Sequence, residues 1–577
     1  MTKITNFFKT SWMARAVFLA ILCGIVYIHF LQNSFIWDDD YYLTKNPHLK
    51  NVDGLKRIWF DILATPQYYP LVFTSFWIEH KFWGLDPLGY HLDNIIIHCI
   101  NTILLWRILS FLKVKGSWLA ATIFLIHPIQ AESVAWISER KNLLSGFFSF
   151  LSLYFFFQFY NLDKSSNFNE DQNGKRSWTV YGISLFFFIC ALLSKTIACT
   201  LPAVILLIYW WKQNCIRRRS FLMMVPYFAI GLGSATLTIW LEKFQVGAMG
   251  HEWEFSFVDR FLIAGRVLWF YIGKLVWPNP IIFIYPRWVI DSSIWWQYIY
   301  PITFLLLVFM LWYWRKNIGR GPLTAILFFA GSLFPALGFF NVYPMRYSFV
   351  ADHFQYLSCI GIIVLFSSGV DKIAGEKRSQ AYFLLLTGLL IILGILTSNQ
   401  GPVYKNEISL WNDTIKKNPE AWMAYHNLGA ALLVENKADE AVSNFKMAIE
   451  LKPDNSDAYF NLGIALFTLG KTEKAISHYK TTIKLNPDFS EAHYSLATAL
   501  FSLRKIEEAI PHYHAAIKLT PGYAEAYNNL GAALLVEGKI EEAVANFQMA
   551  IGFKPDFADA RYNLKMALKK LTIQPVR

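Results

Sequence analysis

The sequence predicts an all-α protein in two parts: a polytopic bundle of about 11 membrane-spanning helices, followed by an α-solenoid. Of its 577 residues, 55% are hydrophobic and only 16% are charged, which is far from the composition of a soluble protein. Several apolar runs are each about long enough to cross roughly 30 Å of hydrocarbon. The C-terminal part repeats with a period of 34 residues. We therefore divide the chain into a membrane domain (1–398), a connector with a partial repeat (399–421) and a repeat domain (422–571).

The first apolar run is expected to remain as a membrane helix. It follows Lys3, Lys9 and Arg15 and so resembles a signal peptide, but no small-residue cleavage site precedes Trp37. The apolar runs are residues 14–31, 181–193, 198–211, 221–240, 296–314, 326–340, 354–370 and 382–396.

The basic connectors between these runs predict the topology, because Lys and Arg accumulate on the cytoplasmic side of membrane helices. With the connectors inside, the outer segments are about 34–89, 131–141, the turn at Ser194 and Lys195, about 243–294, 341–353, and everything after about 399. The connectors are Lys113/Lys115, Lys164/Lys175/Arg176, Arg217/Arg218/Arg219, Arg315/Lys316/Arg320 and Lys372/Lys377/Arg378.

Residues 261–277 are apolar enough to be counted as a further span, which would invert every later loop. Arg266 and Lys274 interrupt this segment, and Pro278 and Pro280 end it. We interpret it as a helix in the outer interface. The repeat domain is then expected outside the cytoplasm.

The repeat domain contains four full repeats (about 422–557), a partial leading repeat and a closing helix (558–571). The 34-residue phase is typical of tetratricopeptide repeats, whose concave surface normally binds protein or peptide; a structural spacer is the alternative. The positions in phase are Tyr425/Tyr459/His493/Tyr527, Leu428/Leu462/Leu496/Leu530, Ala441/Ala475/Ala509/Ala543, Phe445/Tyr479/Tyr513/Phe547 and Pro453/Pro487/Pro521/Pro555.

Neither the cysteines nor the net charge indicates a metal site or a nucleic-acid partner. All six cysteines lie in or beside apolar runs without metal-like spacing. Much of the net charge of +12 is in short loops between helices, which argues against nucleic acid as a partner.

Adjacent carboxylates follow the first helix, in Trp37-Asp38-Asp39-Asp40. One could act as a general base on an acceptor hydroxyl while a second orients the acceptor or holds a cation. The alternative is a solvated acidic cap on the membrane helix.

Three further polar segments lie at outer helix ends: His127 to Glu132 with Glu139-Arg140-Lys141, the break at Lys195, and Arg346 with Asp352-His353. Cations there could bind the phosphate of a lipid-linked donor by charge-assisted hydrogen bonds. Interfacial snorkelling is the alternative for each of them.

The order of these motifs resembles the transmembrane O-mannosyltransferases with tetratricopeptide repeats, including their bacterial relatives. The resemblance covers essentially the whole chain. It is carried by Phe35-Ile36-Trp37-Asp38-Asp39 with Asn46, Tyr69-Pro70-Leu71, Leu88-Gly89-Tyr90-His91-Leu92, His127-Pro128 to Glu132, Val134-Ala135 to Glu139-Arg140, Ser194-Lys195, and Asp352-His353-Phe354-Gln355-Tyr356-Leu357.

The resemblance implies an inverting membrane glycosyltransferase of the GT-C type, with a polyprenyl-phosphate sugar as donor and mannose as the sugar. Other hexoses or pentoses on polyprenyl phosphate stay open, and the acceptor is a protein hydroxyl or a lipid-linked glycan. The matching acids are Asp38, favoured as the base, and Asp39. No particular cofactor is implied; a divalent cation held by Asp38 and Asp39 is the alternative to a metal-independent reaction. The resemblance also implies a bacterial inner-membrane protein with the repeats in the periplasm. The expected donor-phosphate ligands are Lys195, Arg140, Arg346 and His353, and the further site candidates are His91, His127, Glu132 and Asp352.

One departure concerns Asp352-His353, where the animal members carry Glu-Arg. A neutral histidine holds an anion less firmly than arginine, so the phosphate role there has passed to Arg346 or been lost. Two other functions compete with sugar transfer: a non-catalytic membrane anchor whose repeats assemble envelope proteins, and a lipid flippase or transporter. The clustering of polar motifs at outer helix ends argues against both.

Overall fold

The structure, a computed structural model, describes residues 12–160, 178–375 and 379–573. The predicted connectors Lys164/Lys175/Arg176 and Lys377/Arg378, and the leading Lys3 and Lys9, lie outside these ranges. Within them the chain contains helices and no strand, so the predicted all-α class is confirmed. The chain divides between Asp413 and Thr414 into two compact units.

In the first unit, every apolar run found in the sequence overlaps a helix. Its helices are α1 (Trp12–Tyr27), α2 (Val52–Phe60), α3 (Pro70–Trp83), α4 (Pro87–Phe111), α5 (Ser117–Ile126), α6 (Ala131–Ala135), α7 (Arg140–Tyr160), α8 (Trp178–Leu192), α9 (Leu201–Gln213), α10 (Arg218–Phe244), α11 (Phe257–Val276), α12 (Ile299–Tyr313), α13 (Gly321–Leu333), α14 (Cys359–Ala374), α15 (Gln380–Ser398) and α16 (Glu407–Lys417), the last of which continues beyond Asp413.

Seven helical segments in the described ranges are long and apolar enough to cross a membrane, and three apolar helices are shorter. The shorter ones are Ser117–Ile126, Trp178–Leu192 and Gly321–Ala336. The chain is therefore a multi-pass membrane protein, and the figure of about 11 spans stays a prediction. The seven are Trp12–Gln32, Pro87–Phe111, Ile137–Tyr160, Thr196–Gln213, Arg218–Phe244, Trp295–Lys316 and Gln380–Tyr404.

Residues 261–277 lie in α11, which is not one of those seven segments. One face of α11 is buried in an apolar core that also takes in residues of α12 and α13. Arg266 lies over the ring of Trp288, 4.4 Å from its centroid, so its charge is placed against an aromatic face. The interfacial location of α11 stays a prediction.

A compact cluster of aromatic and aliphatic side chains supports the segment that carries the acidic motif. It joins α2, α3, the start of α4 and residue Ile137, and includes Tyr42, Phe73 and Phe76. Tyr42 stacks on Phe73 with ring centroids 5.1 Å apart. This packing fixes the backbone that follows Asp38 and Asp39.

In the second unit, each predicted repeat forms a pair of antiparallel helices. A small residue of the first helix lies against an aromatic ring of the second, as Gly463 does against Tyr479. The helices are α17 (Trp422–Val434), α18 (Ala438–Leu451), α19 (Ser456–Thr468), α20 (Thr472–Leu485), α21 (Ser490–Ser502), α22 (Ile506–Leu519), α23 (Ala524–Val536), α24 (Ile540–Phe553) and α25 (Ala558–Ile573).

Candidate functional site

The three consecutive aspartates have three different surroundings. Asp39 is 1% exposed: its Oδ1 accepts hydrogen bonds from the backbone N–H and hydroxyl of Ser138, and its Oδ2 accepts one from the N–H of Ile36 at 3.0 Å. Asp40 instead forms a partly exposed ion pair with Lys45, with 2.5 Å between Oδ2 and Nζ. Asp38 is half-buried and lines a cavity.

The cavity beside Asp38 has a volume of about 420 Å³ and a wall that combines charged groups with aromatic rings. Burial raises the pKa of the Asp38 carboxyl from its ordinary value of 3.8, against the opposing charge of Lys141. A carboxylate with a raised pKa is a stronger base than an ordinary one, so Asp38 is placed to accept a proton from a group bound in the cavity. We call this space the Asp38 cavity. Its polar lining includes Asp38, Glu132, Glu139, Lys141, His353, Tyr42 and Tyr347.

Glu139 is the centre of the charged cluster at the wall of the Asp38 cavity. Its side chain is fully buried and pairs with Lys141 Nζ at 2.9 Å and with Lys195 Nζ at 3.2 Å. His353 Nε2 lies 3.9 Å from the same carboxylate. A buried charge is tolerated when it is paired and hydrogen-bonded, so Glu139 holds three cationic or titratable groups together at one point.

A second carboxylate, Glu132, holds His353 from its other side. His353 Nδ1 lies 2.9 Å from Glu132 Oε1, and the backbone N–H of His353 donates to Glu132 Oε2 at 3.0 Å. Asn142 closes the network by donating to Glu139 at 2.6 Å and to the His353 carbonyl at 2.8 Å. The imidazole is therefore fixed between two carboxylates.

Lys195 reaches the cluster from the break between α8 and α9 that the sequence predicted. The backbone there leaves the helical conformation, and Thr196 opens a short 3₁₀ turn. Burial lowers the pKa of the Lys195 ammonium to about 8, against the opposing effect of Glu139. Its charge thus depends on pH near neutrality, unlike that of an ordinary lysine.

An apolar groove of about 610 Å³ adjoins the Asp38 cavity. Its walls come from α10 (Phe228, Leu232, Ile239) and from the end of α13 and the segment that follows it. Lys195 and Thr196 line the groove as well. The groove and the cavity share four lining residues: Gln67, Lys141, Pro344 and His353. The two spaces are therefore adjacent, and cations lie at their boundary.

Arg140 and Arg346, both predicted phosphate ligands, do not line either space. Arg140 is 1% exposed, and its guanidinium donates to Glu79, to Asn94 and to the carbonyl of Tyr90. Arg346 pairs with Glu252 at 3.1 Å and donates to the hydroxyl of Tyr343 at 2.9 Å.

Three further predicted residues are also held apart from the two spaces. Asp352 accepts a hydrogen bond from Tyr285 at 2.8 Å, and burial and the charge of Glu132 raise its pKa to about 7. His127 Nε2 lies 3.1 Å from the carbonyl of Leu275. His91 is 1% exposed. Asp352 orders the segment before His353, and the two histidines lie in the packed interior.

Glu139 and Lys141 are central to the site but are not among the individual site residues that the sequence predicts. Lys141 lines both spaces, and its ammonium lies over the rings of Tyr42 (5.2 Å) and Trp136 (5.4 Å). The available signal is the run Glu139-Arg140-Lys141, in which the sequence predicts Arg140 as a phosphate ligand. Ile137–Glu139 is a 3₁₀ turn that leads directly into α7, and this geometry sends Arg140 inward and Lys141 to the cavity.

The two carboxylates predicted to hold a divalent cation, Asp38 and Asp39, differ in their hydrogen bonding. Both oxygens of Asp39 already accept hydrogen bonds from protein donors, whereas Asp38 lines the cavity; a divalent cation at this pair stays a prediction. Among the described residues, no group of three or more His, Cys, Asp or Glu side chains is arranged to hold a metal ion.

Two family models match residues of the repeat domain. A model described as tetratricopeptide repeat matches residues 460–523 and 494–558, and a second, described as TPR repeat, matches 435–470. Among solved structures, the crystal structure of MamA is 26% identical, covers 26% of this chain and 88% of its own, and has a TM-score of 0.25.

Several curated relatives match about three quarters of the chain. Protein O-mannosyl-transferase F38B6.6 of Caenorhabditis elegans is 23% identical over 77% of this chain and 63% of the relative. The corresponding tmtc2 of Xenopus laevis is 24% identical over 74% and 61%, and TMTC3 of Homo sapiens is 24% identical over 75% and 51%. The chain thus spans about half to three fifths of the length of these relatives. The predicted resemblance is confirmed: the chain is a homologue of the transmembrane O-mannosyltransferases with tetratricopeptide repeats.

Proposed function

We propose that this protein is a membrane glycosyltransferase that transfers a sugar, mannose by analogy with its relatives, from a polyprenyl-phosphate donor to a protein hydroxyl. The observation that carries the proposal is the adjacency of two unlike spaces. The Asp38 cavity contains the half-buried carboxylate of Asp38, and the groove beside it is apolar. Lys141 and His353 line both spaces. A polar acceptor and a lipid-linked donor require this combination.

In this proposal the lipid chain lies in the apolar groove and its phosphate lies at the cations. Lys141 and Lys195 are 2.9 and 3.2 Å from the carboxylate of Glu139, which keeps both ammonium groups in place before a ligand binds. Fixed positive charge stabilises the phosphate as it leaves, because no protein reorganisation is needed at that moment. His353, held by Glu132, is the third group at this boundary.

Asp38 acts as the base. It removes the proton from the acceptor hydroxyl while the hydroxyl oxygen attacks the anomeric carbon of the sugar. The bond from that carbon to the phosphate oxygen breaks, and polyprenyl phosphate leaves with the electron pair. A single displacement inverts the configuration at the anomeric carbon. The repeats bind the acceptor protein, and both acceptor and repeats are on the periplasmic side of a bacterial inner membrane.

The test compares Asp38→Asn with Asp40→Asn in the purified full-length protein. The substitutions remove one negative charge each, from adjacent positions. With polyprenyl-phosphate mannose and a serine- and threonine-rich peptide, the Asp38 variant is expected to lose about 10²- to 10⁴-fold in rate, the range of general base catalysis. The Asp40 variant is expected to stay near the unchanged protein, because Asp40 pairs with Lys45 away from the cavity lining.

Retention of transfer by Asp38→Asn would refute the catalytic assignment. The same comparison is made in cells: envelope glycoproteins are analysed by mass spectrometry in a deletion strain complemented with either variant. If the envelope glycoproteins do not differ between the deletion strain and its parent, the non-catalytic anchor is supported instead. The Asp38 variant would then complement the deletion as well as the unchanged protein does.

A further inference from the structure

A second apolar cavity, of about 370 Å³, lies far from the Asp38 cavity along the bundle. The start of α4 packs under the acidic motif through Tyr90, whereas the end of α4 (Leu105, Ile108, Leu109) lines this second cavity. At 1.5 Å per residue, Leu105 and Leu109 lie roughly 22–29 Å from Tyr90 along α4. The other walls come from α7, α9, α13 and α14.

Three lysines lie at the mouth of this cavity. Lys113 and Lys115 belong to the turn between α4 and α5, and Lys372 belongs to the last turn of α14; all three are exposed and line the cavity. Lys212 lies beside them and donates to the carbonyl of Leu112. We call this space the lysine-rimmed cavity.

The wall of the lysine-rimmed cavity contains one buried hydroxyl. Thr324 on α13 is 6% exposed, and its Oγ1 has no hydrogen-bond partner among the described residues. A buried polar group without a partner is costly, and each such group in a native protein needs an explanation. A ligand with an oxygen or hydroxyl near this position would satisfy it.

We propose that the lysine-rimmed cavity binds an anionic phospholipid. An acyl chain occupies the apolar interior, and the phosphate of the headgroup lies at the three lysines. Basic pockets between membrane helices on the cytoplasmic side bind anionic lipid headgroups, and the same lysines place this end of the bundle on the cytoplasmic side. The apolar walls disfavour a purely hydrophilic anion. This proposal does not depend on sugar transfer.

The experiment measures lipid binding to the full-length protein in detergent by native mass spectrometry. Phosphatidylglycerol is the probe, and zwitterionic phosphatidylcholine is the reference. A triple variant is expected to bind phosphatidylglycerol roughly tenfold or more weakly and to bind phosphatidylcholine as the unchanged protein does. Its substitutions are Lys113→Ala, Lys115→Ala and Lys372→Ala. The control is a triple variant of the repeat domain with the same change in net charge, which is expected to bind both lipids as the unchanged protein does. Its substitutions are Lys437→Ala, Lys471→Ala and Lys539→Ala.

Two further variants test the interior while keeping all three lysines. Val364→Trp fills the cavity, and Thr324→Val removes the buried hydroxyl with little change of shape; each is expected to weaken phosphatidylglycerol binding several-fold, and a thermal unfolding scan checks that each is folded. Equal binding of phosphatidylglycerol by the two lysine triples, or equal binding of the two lipids, would overturn the proposal. Displacement of the lipid by millimolar glycerol phosphate alone would also overturn it, because the site would then recognise a free phosphate.

Discussion

Asp38 and Asp39 carry the same chemical group and have different tasks. Asp39 accepts hydrogen bonds from two segments that are far apart in sequence, at Ile36 and at Ser138. It therefore fixes the acidic motif to the start of the 137–142 segment, where Glu139 and Lys141 originate. Asp38 lines the cavity.

Replacement of Asp39 by alanine is expected to destabilise the protein as well as to inactivate it. The N–H groups of Ile36 and Ser138 would lose their acceptor in the interior, at roughly 1–3 kcal/mol for each unsatisfied donor. Asp38→Asn leaves these bonds in place and is expected to change the unfolding midpoint little. Thermal unfolding of both variants in the same detergent checks the difference. Equal midpoints for the two would contradict the anchoring role of Asp39.

The pH dependence of kcat/KM is expected to be bell-shaped. Activity falls at low pH as Asp38 is protonated, and burial places this limb above the ordinary pKa of an aspartate, 3.8. Activity falls at high pH as Lys195 loses its proton, with a pKa of about 8. Because kcat/KM reports the free enzyme, these pKa values apply before donor binds.

The matched variant for the alkaline limb is Lys195→Arg, since arginine keeps its charge across the measured range. The limb is expected to move upward by at least one pH unit in this variant, while the acid limb stays. An unchanged alkaline limb would remove Lys195 from the proposed phosphate site.

The helical repeats show how a small side chain determines the packing of a pair of helices. A Cβ added at Gly463 on α19 would lie 2.5 Å from the ring of Tyr479 on α20, which is closer than real contacts allow. Gly429 faces Phe445 and Gly531 faces Phe547 in the same way. The third repeat has Ala497 at the equivalent position of the 34-residue period.

Substitution of Gly463 by alanine is therefore expected to destabilise the second repeat, by about 1–3 kcal/mol for an overpacked contact. Gly552→Ala on α24 is the matched control, because an added Cβ there meets nothing within 4 Å. In an open helical position alanine is expected to stabilise by roughly 0.5–1 kcal/mol. Hydrogen–deuterium exchange of the full-length protein measures both effects, over residues 456–485 for the Gly463 variant and over residues 540–553 for the Gly552 variant. Unchanged exchange in the Gly463 variant would contradict the close packing.

At the scale of the whole molecule, the transfer proposal requires the acidic motif and the repeats to lie on the same side of the membrane, and the lipid site requires Lys115 to lie on the opposite side. The positive-inside rule predicts that the acidic motif and the chain after residue 399 lie on the outer side. An alkaline phosphatase reporter fused after Arg577 is expected to be active, and a fusion at Lys115 is expected to be inactive. Activity of the second fusion with inactivity of the first would invert the topology and refute both the transfer proposal and the cytoplasmic lipid site.

The sequence by itself determined the all-α class, the apolar helices and the repeats, because these depend on local composition and a fixed period. It also located the acidic motif and the break at Lys195. Only the tertiary structure decided which charged groups meet. Arg140 and Lys141 are neighbours on one helix turn, yet Arg140 is buried against Glu79 while Lys141 lines the cavity. The direction of a side chain depends on the packing of helices distant in sequence. The same reason separates Asp38 from Asp39, whose roles depend on whether Ser138 or open space faces each carboxylate.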